Sequence, residues 1–133
     1  MSWDVLYFKA ADGSIPAEEF LDACPTKVEA KLQAVLSAVA AAPPPSFSGG
    51  GMWEAMHGDM TGYFEVRVGG PGREHFRLFC LLERSREGLP RPAIVVLTGM
   101  RKKFRTTLSG ADYAEVRRLG EEFRRSSPPA IAT

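Results

Sequence analysis

Apolar positions along the chain recur first at mixed, then at helical, then at alternating spacing, and each change marks a predicted element. "WDVLYFK", from Trp3 to Lys9, mixes aromatic and β-branched residues ahead of the turn "ADGS" and is predicted to be a strand. Pro16 suits the first turn of a short helix whose buried side is Phe20 and Leu21, and "CP" at 24–25 ends it. "TKVE" has the form of a capping box, Thr26 with Glu29, after which Val28, Leu32, Val35, Leu36 and Val39 recur at helical spacing. That helix is expected to stop at "PPP", residues 43–45, with "SFSGGG" as a flexible connection.

From residue 52 onward the period is two. In "YFEVRV" Phe64, Val66 and Val68 share one face and Tyr63, Glu65 and Arg67 the other. After the turn "GGPGRE", the stretch "HFRLFCLL" sets Phe76, Leu78, Cys80 and Leu82 opposite His75, Arg77, Phe79 and Leu81, as expected of a hairpin partner. "AIVVLTG", 93–99, is continuous and β-branched, the pattern of a strand covered on both sides or lying in the sheet centre. "SGADYAEVRRLGEEFRR" opens with Ser109 and Asp112 at capping spacing and places Tyr113, Val116, Leu119 and Phe123 on one helical stripe. The order predicts one α+β domain over residues 1–126, with a small, mostly antiparallel sheet, two N-terminal helices packed on one face and a C-terminal helix. Residues 127–133 are expected to be a frayed tail.

Composition narrows the class without choosing a function. At 133 residues, 44% hydrophobic and 25% charged, the chain has the size and make-up of one folded domain, which excludes a wholly disordered chain. The start lacks the basic and long apolar regions of a signal peptide, and no apolar run reaches membrane-spanning length, so the expectation is a cytoplasmic protein with no membrane partner. Cys24 and Cys80 form no CxxC and are expected to be reduced thiols. No His, Cys or carboxylate cluster has zinc-ligand spacing, "GGPG" lacks the context of a nucleotide loop, and no Ser-centred elbow occurs, so neither metal nor cofactor is implied.

The charge distribution is more informative than its sum. The formal net charge is +1, yet residues 1–60 balance to −5 and residues 61–133 to +6, with all twelve arginines in the second half. The planar guanidinium suits bidentate contact with phosphate, so this asymmetry points toward a polyanion. Strand alternation puts Arg67 and Arg77 on one face of adjacent strands. The run "MRKKFR", 100–105, follows the third strand and brings Lys102 and Lys103 within reach of that face. Ion pairing of the strand arginines with Glu65 or Glu74 is the structural alternative.

This order of elements, with "GSIPAEEFL", "MWEAMHGDMTGYFEVRV", "HFRLFCLL" and "LTGMRKKF" in sequence, resembles the RelE/HigB toxins of type II toxin–antitoxin systems over residues 3–125, especially their phage-derived branch. The positions that carry the resemblance are Gly62, Glu65, Val66 and Arg67; Phe76, Arg77 and Phe79; and Gly99, Lys102 and Lys103. It implies an mRNA interferase, a metal-independent endoribonuclease that works on the ribosome and is neutralised by a small helix-turn-helix antitoxin. It implies catalytic roles for Arg67, Arg77, Lys102 and Lys103. The chain departs from the pattern at Phe79, where many relatives have Tyr, and at Thr98, where many have His, and both changes remove a group that moves protons. The remaining proton carriers are His75, Tyr63, Glu65 and His57, of which His75 shares the cationic face and is the catalytic candidate. Phe79 and Tyr63 are candidates to meet RNA bases, with sheet packing as the alternative, and Arg101 and Arg105 to attract RNA. A same-fold inhibitor of DNA gyrase, as the ParE proteins are, and a non-catalytic relative that binds only antitoxin or RNA are the competing readings.

Overall fold

The computed structural model describes residues 2–42, 51–103 and 106–132. The alternating segments pair into one sheet of five strands, β1 (Asp4–Tyr7), β2 (Trp53–Ala55), β3 (Tyr63–Gly69), β4 (His75–Glu83) and β5 (Ala93–Lys102), in the order β1-β5-β4-β3-β2. Among the described residues the β1–β5 pair is parallel and the β2–β3, β3–β4 and β4–β5 pairs are antiparallel. Three α-helices among the described residues accompany the sheet: α1 (Pro16–Ala23), α2 (Thr26–Ala41) and α3 (Gly110–Arg125).

Period-two alternation divides the strands between two cores. Val66, Val68, Phe76, Leu78, Cys80, Ile94 and Val96 point to one side, where Leu21 of α1 and Val28, Leu32, Val35, Leu36 and Val39 of α2 bury them. Tyr63, Phe79, Leu81, Val95 and Leu97 point to the other side, where Val116, Leu119 and Phe123 of α3 cover them together with Phe8. The C-terminal helix therefore lies on the face opposite α1 and α2, so the sheet is sandwiched rather than covered on one face. The reason is in β4 and β5, which are apolar on both sides, so that the stripe of α3 has an uncovered apolar surface to bury. Gly120 permits the approach of α3, because a Cβ there would collide with the Tyr63 ring and hydroxyl. Gly99 plays the same part on the α1 side, where a Cβ would run into the Phe20 ring.

Between Phe79 and Cys80 the β4–β5 register slips: Phe79 faces Thr98 and Cys80 faces Val96, so Leu97 is an extra residue in β5. This bulge resets the alternation. Beyond it Met100 lies opposite Arg77 and Lys102 opposite His75, which turns Lys102 to the α3 side and Arg101, opposite Phe76, to the α1 side.

Several boundaries differ from expectation. Thr26 does not cap α2: Pro25 holds the N-cap position and Thr26 is already inside the helix, so the Thr26–Glu29 capping box is not formed. The Ser109–Asp112 box at α3 is formed in both directions, Ser109 Oγ accepting from the Asp112 amide at 3.2 Å and Asp112 Oδ2 from the Ser109 amide at 2.8 Å. Strand β5 runs on to Lys102, so the basic run begins inside the sheet. In place of a frayed tail, the C-terminal segment lies along the free edge of β1: the Lys9 amide donates to the Ala130 carbonyl at 3.0 Å and the Ala132 amide to that of Tyr7 at 2.8 Å. The connection expected at 43–51 lies, apart from Gly51, outside the described residues.

Candidate functional site

The α3 side of the sheet is covered at one end only. Past the N-terminus of α3, the same alternation that supplies the core delivers Glu54 from β2, Glu65 and Arg67 from β3, His75 and Arg77 from β4, and Met100 and Lys102 from β5. Register makes them neighbours, with Glu54 opposite Glu65, Arg67 opposite Arg77 and His75 opposite Lys102. Two arginines directly across a ladder repel one another. Glu65 relieves this: its Oε1 lies 3.4 Å from both Arg77 Nη1 and Arg67 Nε. Arg67 also reaches Glu54 at 3.1 Å, and Lys102 Nζ sits 3.3 Å from Asp112 Oδ2, tying β5 to the capping box of α3.

Glu65 is the most enclosed of the ion-paired members, its side chain only 13% exposed. Burial pushes its carboxyl above the ordinary carboxylate range; Arg77 and then Arg67 oppose the shift, and Glu54 adds to it. Two open clefts meet here, with Glu54 on the rim of both. One, of about 470 Å³, has Glu65, His57, Asp59, Tyr113 and Arg117 in its walls. The other, of about 370 Å³, is walled by Arg67, Arg77 and His75. The junction thus offers a carboxylate able to hold or release a proton beside two fixed cations.

Four of the residues proposed from sequence come together here: Arg67, Arg77, Lys102 and His75. Lys103 is exposed just beyond β5. Arg101 is on the opposite side of the sheet, over the Phe76 ring at 4.9 Å and paired in two-pronged fashion with Glu74 at 3.0 and 2.9 Å. Arg105 lies outside the described residues. Phe79 and Tyr63 require correction, since Phe79 is fully buried and Tyr63 is 3% exposed. Phe79 packs edge-on against Tyr113 at 6.3 Å, and Tyr63 lies under α3, its hydroxyl donating to the Arg117 carbonyl at 3.4 Å. Neither presents a ring to a base. Cys80 is fully buried and its thiol is pushed far up, in keeping with a core position. Sequence reasoning did not single out Arg117, Asp59 or Glu54. Arg117 is one of several arginines on the polar side of a helix, and no local pattern separates it from Arg118.

No family model, curated protein or solved structure matches the chain. Among the described residues, no group of three or more His, Cys, Asp or Glu is placed to hold a metal ion. Among them too, no helix is long and apolar enough to cross a membrane.

Proposed function

We propose that the chain is a metal-independent endoribonuclease of the RelE/HigB kind, a toxin that cuts mRNA. The observation that carries this reading is the Glu65 carboxylate held at 3.4 Å from both Arg77 and Arg67 where the two clefts meet. RNA contains its own nucleophile, so the protein has to move two protons and hold charge. Glu65 takes the proton of the 2′-hydroxyl as that oxygen bonds to phosphorus, and its raised pKa makes it a stronger base than an exposed carboxylate. Arg77 and Arg67 exchange carboxylate oxygens for those of the phosphorane. The Arg67 guanidinium is 41% exposed and its pairs are weakly held, while the more enclosed Arg77 contact is exchanged charge for charge, since Glu65 becomes neutral as it takes the proton. His75, on the Arg77 side, gives a proton to the departing 5′-oxygen, with Lys102 adding positive charge and Lys103 meeting the RNA backbone. The products are a 2′,3′-cyclic phosphate and a free 5′-hydroxyl. This reading calls for a cytoplasmic setting, a neutralising helix-turn-helix antitoxin and mRNA presented by the ribosome.

The test is cleavage of mRNA in chelator, with and without ribosomes, followed by analysis of the new ends. Cyclic phosphate ends are expected, and Arg77→Ala and Glu65→Gln should each slow cleavage by about 100-fold or more. RNA left intact by the unaltered chain under both conditions overturns the reading. Intact transcripts together with blocked DNA supercoiling would replace it with gyrase inhibition.

A further inference from the structure

We infer that the cleft beside Glu65 is a nucleotide subsite, in which Arg117 holds the phosphate neighbouring the scissile one and Tyr113 faces the attached base; this rests on the ribonuclease reading. The starting point is how the cations are used. Arg67, Arg77, Lys102 and Arg101 each have a carboxylate partner within 4 Å. On α3, Glu115 and Glu122 are taken by Arg118, and Glu121 by Arg125. Arg117, half-buried in the cleft wall, is left out of these pairs: among the described residues it has no carboxylate partner, and its Nη1 lies 3.4 Å from the Met60 thioether. A thioether is a weak acceptor, so a guanidinium with five donors is held in place while its charge is unanswered.

The rest of the cleft suits a nucleotide. Its volume of about 470 Å³ falls within the range of small-ligand sites. Two of the acids in its walls, Glu54 and Glu65, are already engaged by Arg67 and Arg77, which leaves Asp59 on the exposed rim. Tyr113 is half-buried, and its ring is fixed by the edge contact with Phe79, so little conformational freedom is lost when a base stacks on it. Glu65 and Arg117 both border the cleft, which places the proposed base of the reaction next to the nucleotide it must act on. The signal is a cation that the fold positions but does not neutralise.

The test uses a 2′-O-methyl RNA hexanucleotide, which cannot be cut, with binding followed by fluorescence anisotropy over a range of salt. Arg117→Gln is expected to flatten the slope of log affinity against log salt by about 0.7, the share of one phosphate on a single strand, and Arg117→Lys to keep most of the slope. A slope unchanged in Arg117→Gln, or no binding by the unaltered chain, overturns the subsite. Photocrosslinking of a 5-iodouridine form of the same oligomer to the unaltered chain gives a second readout should the variant fail to fold. Crosslinks at Tyr113 or in 55–60 are expected, and crosslinks only elsewhere count against it. If the chain cuts RNA but the slope ignores Arg117, the subsite fails and the ribonuclease reading stands. If the slope depends on Arg117 but RNA stays whole, the ribonuclease reading fails and the cleft remains a site for single-stranded RNA.

Discussion

The two ends of the α3-side face are built from the same strands with the same alternation, yet one is a core and the other a charged cleft. Under α3, β3, β4 and β5 present Tyr63, Phe79, Leu81, Val95 and Leu97, all buried to within 3% of full enclosure. Beyond the helix N-terminus the same strands present Glu65, Arg67, Arg77, His75 and Lys102. In the covered half, burial of apolar area repays ordering the chain; in the open half, like charges are set face to face and held by carboxylates. The Arg67–Glu54 pair, 41% and 48% exposed, adds little stability, whereas Arg77 and Glu65 are 19% and 13% exposed and form the enclosed centre of the cluster. Capping of α3 by Ser109 and Asp112 is where one regime gives way to the other.

Removing the covered half's anchor should have the largest effect. Phe123 is fully buried, edge-on to Phe8 at 6.3 Å, and carries the Arg86 guanidinium over its ring at 4.7 Å. Phe123→Ala is expected to lower unfolding free energy in urea by about 3–5 kcal/mol. A loss below about 1 kcal/mol would mean that α3 does not hold that half together. The boundary comes next: Ser109→Ala removes the acceptor for the Asp112 amide and should cost about 1 kcal/mol by the same measurement. No loss would place the boundary elsewhere.

The open half should respond least in stability and with unusual sign. Because folding raises the Glu65 pKa, the native chain holds that proton more tightly than the unfolded chain does. Its stabilising contribution is fully present below the ordinary carboxylate range and is lost as pH rises through the raised value. Glu65→Gln never ionises, so at pH 7 it should match or slightly exceed the unaltered chain in thermal midpoint, with the gap closing as pH falls toward 4. A clear destabilisation at pH 7 would make Glu65 a structural clamp and erase the contrast between the halves.

Much of this arrangement was legible in the residues. Alternation at 63–68 and 75–82 placed Glu65 and Arg67 on one face and Arg77 and His75 beside them, because side-chain direction in a strand follows from parity alone. The continuous run at 93–99 announced a strand covered on both sides or in the sheet centre, and Ser109 with Asp112 announced the start of α3. Thr26 misled because a Pro-led turn placed it one residue inside the helix, where its hydroxyl no longer meets the free amides. Phe79 and Tyr63 misled because parity gives a face and says nothing of whether a helix covers it.

By itself, then, the chain's pattern determined the class of fold, its helix and strand order apart from the short β2 at Trp53–Ala55, and the membership of a cationic strand face, all of which depend on local period and residue type. Only the tertiary structure decided the rest. The bulge at Leu97 exchanged parity within the basic run, sending Lys102 to the cleft and Arg101 to the far side, a choice made by β4 pairing and invisible in "MRKK". The position of α3 decided which end of the face became core. It also decided that Arg117 would border the cleft with no carboxylate paired to it among the described residues, since ion-pair partners are assigned by distances between elements far apart in sequence.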